Sequence, residues 1–179
     1  MSTGADRPVR VGIVLGSDSD LDVMLEAVKV LDALEIGCEV VVASAHRTPK
    51  RTEAYATSAA GKGIGVLIGA AGGAAALPGV LAASTPLPVI GVPIASTPLG
   101  GMDALFSIVQ MPPGVPVATV AVGKWGATNA AILAAQILAA TDAALAKRLA
   151  EYRARLAAQV DDRQRRVAEK LAAARATNA

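Results

Sequence analysis

The chain has 179 residues, of which 53% are apolar and 2% aromatic, and its formal net charge is +2. That length fits one domain with a real core, which must be built from Ala, Val, Leu and Ile, with Ala and Gly lining the packing surfaces. One cysteine, Cys38, and one histidine, His46, exclude an intramolecular disulfide, a cysteine-based metal cluster and a multi-histidine metal site.

Charge is unevenly spread. From Gly63 to Thr141 the only charged side chains are Asp103 and Lys124, whereas Asp142–Ala179 carries nine Lys/Arg and five Asp/Glu. A long uncharged stretch is hard to bury within one small domain, so other subunits are expected to cover part of it. A membrane span, which length alone would allow, is disfavoured by its punctuation: glycines and Pro78 interrupt Gly63–Ser84, and Pro86, Pro88 and Pro93 break the next apolar run. Met1–Arg10 is polar and Val11–Leu15 is too short for a signal-peptide core, so a cytoplasmic protein is expected.

In chain order, Val9–Leu15 reads as a strand ending at Gly16. Leu21–Leu34 reads as a helix with a period near 3.6, stopped by Gly37. Glu39–Ala43 is a second strand, and Pro49–Ala60 a helix with proline in its first turn. Cys38 reads as a buried small residue. Gly65–Gly69 is a third strand, Ala74–Ala83 a helix despite Pro78, Val89–Val92 a fourth strand and Asp103–Gln110 a helix ended by prolines. Val117–Val122 is a fifth strand, and Asn129–Ala140 a helix rich in Ala, Ile and Leu. The tail from Asp142 carries an apolar stripe (Leu145, Leu149, Tyr152, Leu156, Val160, Val167, Leu171) opposite charged residues, an amphipathic helix with a candidate break at Asp161–Asp162. It has little of its own domain to pack on, so residues 142–179 are expected to dock on a neighbouring subunit, with residues 1–141 as the α/β domain. A nucleic-acid arm is disfavoured by interspersed acids and by the lack of aromatics other than Tyr152.

Strands alternating with helices predict a parallel sheet covered on both faces, a three-layer αβα sandwich with an extended C-terminal helix. Ligands of such sheets sit beyond the carboxyl ends of the strands. The loops to inspect are therefore Gly16–Asp20, Ser44–Pro49, Gly69–Leu77, Pro93–Gly101 and Gly123–Asn129.

Gly16-Ser17-Asp18-Ser19-Asp20 offers helix caps and a positive dipole end; capping alone would also explain it. It is neither a phosphate loop with lysine nor a GxGxxG turn. Ser44-Ala45-His46-Arg47-Thr48-Pro49 places a hydroxyl, an imidazole and a guanidinium within four residues. Arg favours bidentate contact with phosphate, and His gives and takes protons near neutral pH. The loop Gly69–Gly79 has no side-chain chemistry; its glycines either let backbone N–H groups approach a ligand or pack a tight turn.

These segments, with Ser107-Ile108-Val109-Gln110-Met111-Pro112 and Gly126–Asn129, resemble the PurE family in order from about Val11 to Ala140. The SAHRTP and SIVQMP segments carry most of the specificity, and the pattern is closer to the bacterial mutase branch than to the metazoan-type carboxylase branch. The resemblance implies a flavodoxin-like sheet and an enzyme of purine biosynthesis. That enzyme moves a carboxylate from the exocyclic nitrogen to ring carbon C4 of an aminoimidazole ribonucleotide, without metal, ATP or organic cofactor.

It further implies that Ser17, Ser44 and Arg47 hold the phosphate, with Ser19 beside them. Asp20 would accept hydrogen bonds from ribose hydroxyls, and His46 would transfer protons. Ala71, Gly72, Gly73, Ala76 and Leu77 would wall the substrate site, and the subunits would form a homo-octamer without nucleic-acid or membrane partners. Two departures stand out: the family pattern has a second histidine where this chain has Ala76, and a small residue where it has Trp125. The alternatives left open are a carboxylase using free CO2, or a related mononucleotide carboxylase, on the same scaffold, and a ribonucleotide-binding homologue without turnover.

Overall fold

The computed structural model describes residues 7–177. Met1–Asp6, most of the polar start, and the last two residues of the tail lie outside them. Five parallel strands form one sheet in the order β2-β1-β3-β4-β5: β1 Val9–Leu15, β2 Gly37–Val42, β3 Val66–Gly72, β4 Val89–Ile94 and β5 Ala118–Thr119. This is the expected three-layer sandwich, with the doubly wound order in which the chain reverses direction between β1 and β3.

Alternation along the strands builds two cores. Val11, Ile13 and Leu15 of β1, Val66, Ile68 and Ala70 of β3, and Ile90, Val92 and Ile94 of β4 face α1 (Leu21–Ala33) and α5 (Lys124–Ala139). Met24, Ala27 and Leu31 pack from α1, and Ala127, Ala130, Ala131, Ala134 and Ala135 from α5, all fully buried. The alanine face of α5 lets that helix approach the sheet and α1 closely. On the opposite face Val14, Leu67 and Val89 meet α2 (Pro49–Ala59), α3 (Leu77–Ala83) and α4 (Met102–Val109) through Tyr55, Ala56, Leu77, Leu81, Ala104 and Ile108. Here Gly12 and Gly91 leave room for Tyr55 and Ile108, which a Cβ would strike. Tyr55 is buried and donates to Glu39 at 2.9 Å; burial, then that carboxylate, raises its phenol pKa far above the ordinary range.

Several boundaries differ from the sequence reading. β3 and β4 run further, to Gly72 and Ile94, while β5 shrinks to two residues paired only with β4. α3 starts at Leu77 because Gly73 and Ala75 have φ of 61° and 42°, so the chain turns left-handed before it can coil. The expected loop Gly123–Asn129 is helical from Lys124. Its Gly126 is there for close approach: a Cβ would collide with the Ala121 carbonyl. Cys38 is only half-buried; burial, then the charge of Asp32, raises its thiol pKa.

α6, Ala143–Thr177, is 35 residues long with no break at Asp161–Asp162. Its first turns join the domain. Leu145 and Leu149 are buried with α1 and α5, Asp142 accepts from Leu145 N at 3.0 Å and from Arg10 at 2.6 Å, and Arg148 donates to the Leu34 carbonyl at 2.9 Å. From Arg153 to Ala176 every residue is exposed. The uncharged stretch is largely accounted for by β3, β4 and α5. What it leaves outside is Leu99, Met102, Phe106 and Val109 at and before α4, and Trp125, 82% exposed. Among the described residues no helix is long and apolar enough to cross a membrane.

Candidate active site

The carboxyl ends of β1, β2 and β3 lie side by side at the reversal of strand order, and the segments leaving them enclose a cleft of about 400 Å³. It is lined by Gly16, Ser17, Ser19 and Asp20 after β1, Ser44–Arg47 after β2, Ala71, Gly72, Ala75, Ala76 and Leu77 at the end of β3, and Ser96 after β4. A volume of this size suits a small organic ligand.

After β1 the chain makes one turn of 3-10 helix at Asp18–Asp20 before α1. Ser17 caps it: its Oγ accepts from Ser19 N at 3.4 Å, while Asp20 Oδ2 accepts from Ser17 N at 3.3 Å. Ser19 Oγ donates to Ser17 Oγ at 2.9 Å. These bonds hold both hydroxyls and the carboxylate at one end of the cleft. Asp20 is only 5% exposed. Burial raises its carboxyl pKa above the ordinary value, against the lowering effect of its bonds to Ser17 and Ser19.

After β2 the Ser44–Thr48 segment closes on itself. Ser44 N donates to Thr48 Oγ1 at 3.0 Å, Thr48 N to Ser44 O at 2.8 Å, and Arg47 N to Ser44 Oγ at 3.2 Å. Pro49 follows in the first turn of α2. This tight turn projects His46 and Arg47 outward, both exposed in the isolated chain. Arg47 reaches back to the first segment, donating from Nη2 to the Gly16 carbonyl at 3.4 Å. A second hollow of about 310 Å³ adjoins the first, sharing Gly16, Ser17, Ser44 and Arg47 and adding Asp18, Thr48 and Arg51.

The wall after β3 is apolar and mostly backbone. Gly72 has to be glycine because a Cβ would collide with Ser96 Oγ. Ala75 holds a φ of 42°, a left-handed conformation that costs an alanine about 1 kcal/mol or more. Ala75 N donates to the Gly72 carbonyl at 3.1 Å, closing the turn.

Of the sequence-derived residues, Ser17, Ser19, Asp20, Ser44, His46, Arg47, Ala71, Gly72, Ala76 and Leu77 surround this one cleft, and Gly73 does not line it. Gly73 instead supplies the positive φ of the turn. Sequence reasoning had named the Pro93–Gly101 segment but not Ser96, which belongs to no motif. Its position after a central parallel strand was the available signal. Arg51 was missed as well; it stands one helical turn beyond Arg47 on α2. Among the described residues no group of three His, Cys, Asp or Glu side chains is placed to hold a metal ion. The cleft can bind an anion through Arg47 and hydroxyls, accept hydroxyl hydrogen bonds at Asp20, and move a proton at His46.

The family model described as AIR carboxylase matches residues 10–159. A protein named N5-carboxyaminoimidazole ribonucleotide mutase from Pyrococcus abyssi is 58% identical over 144 residues, covering 80% of this chain and 82% of that protein. Proteins of the same name from Bacillus subtilis and Escherichia coli are 57% and 52% identical, covering 80% and 83% of this chain and 88% of each relative. The crystal structure of Treponema denticola PurE superposes with a TM-score of 0.78 at 27% identity, covering 87% of this chain and 96% of that one. A sheet order, a strand-end cleft and a family match that runs from β1 into α6 all agree: this chain belongs to the AIR carboxylase, or PurE, family.

Proposed function

We propose that this chain is a mutase that interconverts N5-carboxyaminoimidazole ribonucleotide and 4-carboxy-5-aminoimidazole ribonucleotide in purine biosynthesis, with His46 as the proton shuttle. The observation that carries this reading is the meeting, in one strand-end cleft, of the chain's only imidazole with an arginine, a pair of capped serines and a buried aspartate.

The reaction follows from those groups. Arg47, Ser17 and Ser44 hold the 5′-phosphate through charge-assisted and hydroxyl hydrogen bonds, with Ser19 steadying Ser17. Asp20 accepts from the ribose hydroxyls. The N–C bond of the carbamate breaks, CO2 leaves, and the electron pair returned to the exocyclic nitrogen takes a proton from His46. C4 of the ring then attacks CO2, the new C–C bond forms, and the C4 proton passes to His46. One proton is given and one is taken, so no further base is required. CO2 is small and neutral and stays beside the ring only in a close, dry wall. Ala71, Gly72, Ala76 and Leu77 supply one, with Gly73 shaping the turn behind it.

The working form is a cytoplasmic homo-octamer in which α6, rooted in its own domain by Leu145 and Leu149, extends its distal part onto a neighbour. Support comes from the exposed apolar side chains of α4 and of distal α6. The deciding experiment offers the purified chain the carbamate ribonucleotide in one arm and aminoimidazole ribonucleotide with bicarbonate in the other. Turnover in the first arm at low bicarbonate supports the mutase; turnover only in the second makes it a carboxylase. A second reading, ribonucleotide binding without turnover, is favoured by Ala76, which leaves the β3 wall without a polar side chain. Binding in both arms with product in neither would select it.

A further inference from the structure

We propose that Ser96 is a further substrate-binding residue of this cleft: its hydroxyl donates a hydrogen bond to the carboxylate that the reaction moves. The inference rests on the ribonucleotide reading above and names a partner for the one group which that reading leaves without a side chain. Strand order orients the ligand. The neighbouring strands β2, β1, β3 and β4 each send one segment into the cleft, so Arg47, after β2, and Ser96, after β4, stand at opposite ends of it. With the phosphate at Arg47 and the ribose at Asp20, after β1, the imidazole ring lies further along, at the β3 wall, and its substituents reach toward β4. Every polar side chain that lines the cleft comes from the segments after β1 and β2, except Ser96.

The local structure holds that hydroxyl at the wall. Gly72 lacks a Cβ, and Ser96 Oγ occupies the space where one would stand. The next residue packs the same way: a Cβ on Gly73 would meet Thr97 Cγ2 at 3.8 Å, so the segment after β4 lies along the turn after β3. That segment is pinned. Ser96 N donates to the Ile94 carbonyl at 3.0 Å, Thr97 Oγ1 donates to Asp103 Oδ2 at 2.7 Å, and Leu99 N donates to Thr97 Oγ1 at 3.2 Å. Gly100 and Gly101 then take φ of 63° and 87° to turn the chain into α4. The hydroxyls of Ser17, Ser19 and Ser44 are engaged within their own segments. The Ser96 hydroxyl, among the described residues, has no hydrogen-bond partner. A carboxylate only accepts hydrogen bonds, and against Ala71, Gly72, Ala76 and Leu77 it would lose water with no side chain to replace it. Ser96 supplies the donor, and as a neutral hydroxyl it fixes no charge beside CO2 once the N–C bond has broken.

Ser96 is exposed at the cleft surface, so Ser96→Ala keeps the fold. The full chain and this variant are titrated with 4-carboxy-5-aminoimidazole ribonucleotide and with aminoimidazole ribonucleotide, which lacks the carboxylate. The variant is expected to lose about ten- to a hundredfold in affinity for the carboxylated ligand, the usual worth of a hydrogen bond to a charged group, and to hold the other ligand as wild type does. A role confined to shaping the segment after β4 would weaken both ligands alike. Equal losses for the two, or no loss for either, overturn the assignment while leaving the ribonucleotide role of the cleft standing. The titration needs no turnover: a chain that binds without reacting, and shows the same carboxylate-selective loss, overturns the mutase reading and supports the Ser96 contact. A wild-type chain that binds neither ligand overturns both.

Discussion

The Arg47 guanidinium donates to the carbonyl of Gly16, 31 residues earlier in the chain, at 3.4 Å. That single bond ties the turn after β2 to the turn after β1 and brings the cleft's exposed cation beside the Ser17 and Ser19 hydroxyls. Arg47→Ala is therefore expected to weaken ribonucleotide binding by about 1.5–3 kcal/mol, the usual worth of a charged hydrogen bond. The check is calorimetric titration with the ribonucleotide and with the corresponding nucleoside. The nucleoside should be insensitive, and equal losses for both would remove the phosphate role.

Asp20 gives a pH signature. Its carboxyl pKa is raised, mainly by burial, so in the folded chain it ionises above the ordinary carboxylate range. Between the unfolded and folded values the native state binds more proton, and stability falls as pH rises through that window. Ribonucleotide affinity has the opposite sign: the hydroxyl-accepting carboxylate is lost as pH drops through the raised value. Asp20→Asn keeps an oxygen to accept from Ser17 N and should abolish both pH steps. A wild-type affinity that is flat across that range would contradict the ribose assignment.

Ala76 marks the place where a second imidazole is expected from the family pattern. One additional hydrogen bond near the migrating carboxylate is worth on the order of 0.5–3 kcal/mol, at most a few hundredfold in rate. Ala76→His should raise turnover of the carbamate ribonucleotide and leave phosphate-driven affinity nearly unchanged, as paired kcat and Kd measurements would show. If neither form turns over, the binding-protein reading gains.

The root of α6 belongs to the core. Leu145 is fully buried, and its backbone N–H is capped by Asp142. Leu145→Ala should cost about 2–5 kcal/mol of unfolding free energy in urea titration. A loss below 1 kcal/mol would mean that the helix is an appendage from its first turn.

Much of this molecule was legible in the sequence. β1 was read at its observed limits because its apolar run ends sharply at Gly16, and the strand-end rule then pointed to the segments that form the cleft. One failure came from reading glycine as a local breaker when tertiary space had selected it. Gly126 suggested a loop, yet it lets α5 pass over the Ala121 carbonyl. Gly73, expected in the substrate wall, supplies the positive φ of the turn that follows Gly72. Ser96 enters the cleft because β4 runs two residues beyond its predicted end, a length set by pairing with Ala71 and Gly72 of β3. The root of α6 was misjudged because the stripe was legible but its partners in α1 and α5 were not.

His46 carries the central claim, and one pair of numbers tests it: kcat for the carbamate ribonucleotide and Kd for the same ligand, in wild type and in His46→Asn. The amide preserves size and polarity but cannot exchange a proton near neutral pH. The proposed shuttle predicts that the variant keeps ribonucleotide affinity and loses most of its turnover. A variant that turns over at close to the wild-type rate would contradict it.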